Sequence, residues 1–174
     1  MKISIRNTEK EDIEGILSVE HDSFHPNIAE NADTLLERIE VFPNGFLVME
    51  INGEIAGYIS SELWDYSENI DTEKFELGHS ITETHRYDGK ELYISSIAVL
   101  KMYRGKGYGD ALLSELISNI CNKYGISSII LMVSVNWIAA KRIYEKNGFH
   151  EIQVINGFFD DDERSDSIVM RKQI

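Results

Sequence analysis

Residues 103–113 read YRGKGYGDALL, and this short stretch contains three glycines at alternate positions: Gly105, Gly107 and Gly109. The apolar run ISSIAVL (94–100) comes directly before it and predicts a buried strand. Apolar residues at helical spacing follow it, and they predict a helix over residues 107–124. The glycines therefore lie in a turn that leads from a strand into a helix.

A glycine-rich turn before a helix is suited to binding an anionic group. The first N–H groups of a helix have no internal partner, and glycine lets the backbone come close to a phosphate. Arg104 and Lys106 add positive charge to the same turn. The alternative is an ordinary turn whose glycines only supply positive φ angles.

Composition indicates an ordinary globular protein. The chain has 174 residues, 43% hydrophobic and 27% charged, which is enough for a single domain over residues 1–174. No apolar run is long enough to span a bilayer, and no signal peptide is recognisable, so we expect no membrane partner. Cys121 is the only cysteine and cannot form an internal disulfide, which favours a cytoplasmic location.

The net charge of −13 argues against nucleic acid as the main ligand, because such proteins usually present a basic face. An acidic surface attracts cationic small molecules, although it also serves solubility alone.

The remaining segments predict an α/β (α+β) chain with a mixed sheet, because strand–helix–strand units occur only in its second half. Thr8 and Glu11 predict a capping box before the first helix, and Asn52-Gly53 predicts a hairpin. The polar segment 65–90 predicts a long loop. Strands are predicted within 2–7, 46–64, 91–100, 126–135, 149–157 and 165–173, and the other helices within 31–42 and 136–147.

Common phosphate-loop motifs fit the glycine stretch poorly. The Walker pattern G-x-x-x-x-G-K-[ST] is absent, and Asp110 stands where G-x-G-x-x-G would need its third glycine. The pattern R-x-x-G-x-G is present as Arg104, Gly107 and Gly109. A second block, NWIAAKRIYEKNGF (136–149), follows at a suitable distance.

The two blocks together resemble the GCN5-related N-acetyltransferase (GNAT) superfamily. The second block resembles the family motif N-x-x-A-x-x-x-x-Y-x-x-x-G-F. The upstream segments VEHDSF and ELWD resemble most the arylalkylamine (serotonin) N-acetyltransferase branch. The resemblance implies the GNAT fold, with about seven strands flanked by about four helices. The positions that match the motif are Asn136, Ala139, Tyr144, Gly148 and Phe149.

The resemblance also implies acetyl-CoA as cosubstrate. The histidines are scattered and show no ligand spacing, so no metal is expected. Tyr144 matches the tyrosine that protonates the departing CoA sulfur, unless its ring only packs in the core. Asn136 either bonds the pantetheine arm or caps the following helix. The residues that the resemblance assigns to acetyl-CoA are Ile97, Ala98, Val99, Arg104, Gly105, Lys106, Gly107, Tyr108, Gly109, Asn136 and Ala139.

The proton acceptor is not identified by the resemblance. The arylalkylamine branch uses histidines on the strand before the glycine turn, but the matching positions here are Tyr93 and Ser95. Ser95, His79 and His85 are the candidates for this role. Glu62, Asp65 and Glu91 are further candidates, and proton loss to water without a unique base is the alternative.

Aromatic side chains near the expected acceptor site are the candidates for substrate binding. Trp64 and Tyr66 end a strand, Tyr93 lies on the next one, and Phe24 and Phe42 are either acceptor wall or core. With nearby acids, such rings can bind an amine by cation–π contact.

The sequence therefore predicts an N-acetyltransferase that acts on a small primary amine. A peptide or protein N-terminal acetyltransferase and a non-catalytic acyl-CoA-binding module are the alternatives. The resemblance is also compatible with a homodimer.

Overall fold

A computed structural model describes all residues, 1–174, and contains one seven-stranded sheet with the order β1-β2-β3-β4-β5-β7-β6. The strands are β1 Ile3–Asn7, β2 Phe46–Ile51, β3 Glu54–Trp64, β4 Glu91–Val99, β5 Ser128–Ser134, β6 His150–Ile155 and β7 Ser167–Gln173. The helices are α1 Ile13–Ser23, α2 Ala32–Val41, the single turn α3 Ile81–Thr84, α4 Tyr108–Tyr124 and α5 Ile138–Lys146. The predicted mixed sheet with four long helices is confirmed.

The sheet is antiparallel at both ends and parallel at its centre. β1 to β4 pair antiparallel in chain order, β4 and β5 pair parallel across the α4 crossover, and β7 lies antiparallel between β5 and β6. The predicted hairpin joins β2 to β3 through Asn52 and Gly53, both with positive φ (55° and 86°). That conformation matches the right-handed twist of the two strands.

Hydrophobic residues pack on both faces of the sheet. On one face, α4 packs Leu112, Leu113 and Leu116 against β2 to β5. On the other, α1 and α2 bury Ile16, Val19, Leu35 and Ile39 against Phe46 and Tyr58. Each fully buried side chain of this size contributes roughly 1.5–3 kcal/mol. β4 therefore lies at the centre of the molecule, covered on both sides.

Two predicted helix caps are wrong. The capping box of the N-terminal turn is formed by Glu9 and Asp12, one residue later than the predicted pair Thr8 and Glu11. The Asp12 carboxylate accepts from the Glu9 N–H at 2.8 Å. The N-cap of α5 is Trp137, and the Asn136 amide instead donates to the Glu163 carboxylate at 3.0 Å.

The predicted loop 65–90 carries two short helical turns, Thr72–Phe75 and α3. Phe75 anchors it by packing edge-on against Trp64, with ring centroids 5.2 Å apart. None of the helices combines the length and apolar character that crossing a bilayer requires.

Candidate active site

A cleft of about 780 Å³ lies at the centre of the sheet, where β4 and β5 diverge. Their parallel pairing ends at Ile94 and Leu131. Beyond that point, residues 95–99 of β4 have no strand partner on the β5 side, so their backbone N–H and C=O groups on that side open into the cleft.

A β-bulge marks the point of divergence. Ser60 pairs with Ser96 and Ser61 with Ile94, which leaves Ser95 without a partner on β3. Such an extra residue bends and twists its strand. The Ser95 and Ser60 hydroxyls lie 2.8 Å apart, so the Ser95 side chain is turned toward β3 although the residue lines the cleft.

The glycine turn forms one end of the cleft. Gly105 and Gly107 have φ angles of 75° and 81°, and Gly107 is the N-cap of α4. The backbone N–H groups of residues 105 to 110 donate to no acceptor within the chain. Consecutive free N–H groups at the start of a long helix fit a pyrophosphate. The turn therefore has the free donors that a diphosphate group needs.

Basic side chains surround this end of the cleft. Arg104 lines it and donates from Nε to the Val99 carbonyl at 2.9 Å, which fixes the guanidinium between β4 and the turn. Arg142 and Lys146 come from α5, and neither was predicted from the sequence. Lys106 lies outside the lining, with its ammonium 5.6 Å from the Tyr103 ring centroid.

The wall opposite β4 is formed by α5. Asn136, Ala139 and Tyr144 line the cleft, together with Ile97, Ala98 and Val99 across from them. Tyr144 is 5% exposed, and its hydroxyl makes no hydrogen bond within the chain. Burial raises its pKa, so the hydroxyl stays protonated at neutral pH and is available as a proton donor.

The other end of the cleft opens on the α1–α2 face and is aromatic at its rim. Phe24 lines it and packs against Trp137 with centroids 5.5 Å apart, and Trp137 in turn contacts Phe159 at 4.8 Å. His25 and Asp162 approach to 3.5 Å across the same gap. The segment between α1 and α2 thus meets the segment between β6 and β7 over the cleft.

Two buried carboxylates line this end, and sequence reasoning missed both. Glu20 is 1% exposed and Glu30 is 8% exposed. Both Glu30 oxygens accept from the Arg38 guanidinium, at 2.6 and 2.7 Å. Glu20 lies on the buried face of α1, four residues after Ile16. A carboxylate on the apolar face of a predicted helix is unusual, and this pattern in the sequence could have identified it.

Both candidate histidines lie outside the cleft lining. His79 Nε2 lies 2.9 Å from a Glu62 oxygen; burial alone would lower the pKa of His79, but the Glu62 carboxylate raises it. His85 Nδ1 accepts from the Leu63 N–H at 3.0 Å, and burial lowers its pKa. The structure places both in the packing of the 65–90 segment.

Four of the candidate aromatic residues also lie outside the lining. Trp64 and Tyr93 are buried and stacked, with ring centroids 4.0 Å apart. Tyr66 is exposed, and its ring centroid lies 4.6 Å from Cζ of the Arg171 guanidinium, which stacks over it. Phe42 is buried against His85 and Tyr124. Of the predicted acceptor residues, only Phe24 lines the cleft. Asp65 and Glu91, the further candidates for the base, lie outside it as well.

We expect Gly107→Ala to weaken acetyl-CoA binding about tenfold. Alanine at a φ of 81° is strained by roughly 1–3 kcal/mol, so the turn shifts and its N–H groups lose their common direction. The dissociation constant for acetyl-CoA, measured by calorimetry, checks this.

Gly53→Ala is the matched control, because Gly53 has a φ of 86° and open space around it but lies in the β2–β3 hairpin. It should lower stability by a similar amount and leave acetyl-CoA affinity unchanged. Equal affinity of wild type and Gly107→Ala would contradict the assignment of the turn.

The chain belongs to the acetyltransferase (GNAT) family, whose family model matches residues 11–149. It is an acetyl-CoA-dependent N-acetyltransferase of this type. A curated relative, an N-alpha-acetyltransferase of Sulfurisphaera tokodaii, is 28% identical over 160 residues, 91% of this chain and 87% of the relative.

Two solved structures show the same fold. The loading GNATL domain of CurA from Lyngbya majuscula has a TM-score of 0.83 at 15% identity, over 99% of this chain and 98% of that domain. The structure of yncA from Salmonella typhimurium with its cofactor acetyl-CoA has a TM-score of 0.72 at 23% identity, over 98% and 93% of the two chains.

Proposed function

We propose that this protein transfers the acetyl group of acetyl-CoA to the α-amino group of a peptide or protein. The observation that carries the proposal is the continuous cleft, with free N–H groups and arginines at one end and two buried carboxylates at the other. An anionic cosubstrate fits the first end and a cationic amine fits the second. The name of the Sulfurisphaera relative supports an α-amine as the acceptor.

Different residues of the cleft contribute to different steps of the transfer. Acetyl-CoA supplies a thioester-activated acetyl group. The open edge of β4 between residues 95 and 99 offers backbone N–H groups that can meet the carbonyl oxygen as it gains charge. Tyr144 holds a proton for the departing sulfur. Phe24 and Trp137 exclude water from the acceptor end.

A small arylalkylamine is the second candidate acceptor. The rim formed by Phe24, Trp137 and Phe159 favours it, because an aromatic ring can stack there while its ammonium lies near the carboxylates. The closer likeness to the arylalkylamine branch stays a prediction and bears only on this candidate.

An acceptor panel separates the two. We expect CoA release from acetyl-CoA with peptides that have a free α-amine, and none with the same peptides blocked at the N-terminus but carrying lysine. Tryptamine and spermidine complete the panel, and mass spectrometry locates the added acetyl group.

Release with tryptamine alone would favour the second candidate. No release with any acceptor, while acetyl-CoA binds, would count against both candidate acceptors. Cys121 contributes only a constant background to a thiol assay.

A further inference from the structure

A line of hydrogen-bonded side chains leads from the cleft to the Glu20 carboxylate. Ser96 on β4 lines the cleft, and its Oγ lies 2.8 Å from the Tyr58 hydroxyl on β3. Tyr58 is fully buried and its hydroxyl donates to Glu20 Oε2. The other carboxylate oxygen of Glu20 accepts from the Glu30 N–H at 3.0 Å.

The chemistry of these groups determines which oxygen donates and which accepts in each hydrogen bond. An ionised carboxylate only accepts, so Tyr58 must donate to Glu20. The Tyr58 oxygen then accepts from the Ser96 hydroxyl, which leaves the Ser96 oxygen free to accept a proton from the cleft.

We propose that Glu20 is the proton acceptor of the reaction and takes the proton of the ammonium substrate through Ser96 and Tyr58. This rests on the proposed function, since an amine must reach the cleft as its cation. The ammonium proton passes to Ser96 Oγ, the Ser96 proton to Tyr58 Oη, and the Tyr58 proton to Glu20 Oε2.

The neutral amine then forms the C–N bond to the acetyl carbon as the thioester C–S bond breaks. The CoA sulfur takes the Tyr144 proton, and the second nitrogen proton returns to Tyr144. Glu20 later releases its proton to solvent, so one proton leaves for each acetyl group transferred.

The groups that face Glu20 favour this role. Burial raises the pKa of Glu20, and the hydrogen bonds from Glu30 N–H and Tyr58 only partly oppose that rise. The Glu30 carboxylate adds to the rise and the Arg38 guanidinium opposes it. A base with a pKa nearer to neutral is the more effective at neutral pH.

Other groups near the cleft suit the role less well. Both oxygens of Glu30 are held by Arg38, so Glu30 serves as the counter-ion of a buried arginine. The neighbouring hydroxyl pair, Ser95 and Ser60, leads to no carboxylate. Tyr58 and Ser96 are the positioning groups through which Glu20 acts.

The test compares Glu20→Gln and Tyr58→Phe with wild type over a pH series, using a peptide with a free α-amine. At pH 7 we expect kcat/KM to fall about 10²-fold in both variants. The deficit should shrink above pH 9, because an α-amine with a pKa of about 8 then arrives neutral and needs no base. For an alkylamine with a pKa near 10, the deficit should persist to higher pH.

Tyr124→Phe is the matched control, since its hydroxyl also accepts one side-chain hydrogen bond (Asn44 Nδ2, 2.7 Å) but lies away from the cleft. It should leave the pH profile unchanged. Thermal unfolding and acetyl-CoA affinity report whether each variant folds. Should Glu20→Gln fail to fold, Ser96→Ala interrupts the same line at its first hydroxyl.

A deficit that stays constant from pH 6 to pH 10 would overturn the relay, because a purely structural defect does not depend on the charge of the amine. Wild-type rates in folded Tyr58→Phe and Ser96→Ala would overturn it as well. Absence of turnover in wild type with every acceptor would count against the proposed function itself, which separates the two failures.

Discussion

Tyr144→Phe should lower kcat by about 10²- to 10⁴-fold while acetyl-CoA still binds, which is the usual contribution of a positioned acid. Tyr144 lines the cleft on α5, and its hydroxyl makes no hydrogen bond to another side chain. Burial raises its pKa, so the phenol is protonated whenever a thiolate departs. Stopped-flow or steady-state assays of CoA release, with calorimetry for binding, measure the two effects separately.

The substitution removes one oxygen and keeps the ring that packs against Phe149, with centroids 5.9 Å apart. We therefore expect little change in the unfolding temperature. Tyr124→Phe again controls for the loss of a remote phenol. A folded Tyr144→Phe enzyme with wild-type kcat would assign protonation of the sulfur to water. A weakened affinity for acetyl-CoA with unchanged kcat would make Tyr144 a binding residue.

Arg38→Met should lower the free energy of unfolding by about 3–5 kcal/mol, because it leaves the Glu30 carboxylate buried without its partner. The Arg38 and Glu30 side chains are 3% and 6% exposed, and two hydrogen bonds of 2.6 and 2.7 Å join them. The pair ties α2 to the segment that precedes it. Urea denaturation followed by circular dichroism measures the loss.

Arg164→Met is the comparison for this variant. The Arg164 guanidinium lies 2.8 Å from the Asp160 carboxylate, a distance similar to that in the buried pair. These two side chains, however, are 68% and 62% exposed. Exposed pairs contribute about 0–1 kcal/mol. Equal losses in the two variants would show that burial of the Arg38–Glu30 pair does not matter, and the assignment of Glu30 as its counter-ion would fail.

The end of the cleft that we propose binds acetyl-CoA was predictable as a glycine turn before a helix, because it consists of one continuous stretch of chain. Gly105, Gly107 and the start of α4 follow one another, and free N–H groups at a helix start depend on local backbone geometry alone. The α5 block is equally local, so the sequence also indicated Tyr144 and Ala139.

The acceptor end was not predictable in the same way. Residue type alone makes the loop histidines His79 and His85 candidates, yet packing places both outside the cleft lining. Trp64 and Tyr66 end a predicted strand, but only the folded sheet decides which side of it each ring occupies. Trp64 turns inward to stack on Tyr93.

Local patterns in the chain were enough to predict the GNAT family, the order of strands and helices, and the glycine turn before α4, because each depends on residues close together in the chain. The tertiary structure alone decided which side chains line the acceptor end. Glu20 and Tyr58 are 38 residues apart, as are Tyr58 and Ser96, and they meet only where α1 crosses β3 and β4. Their contact is a product of packing, which no local pattern in the chain encodes.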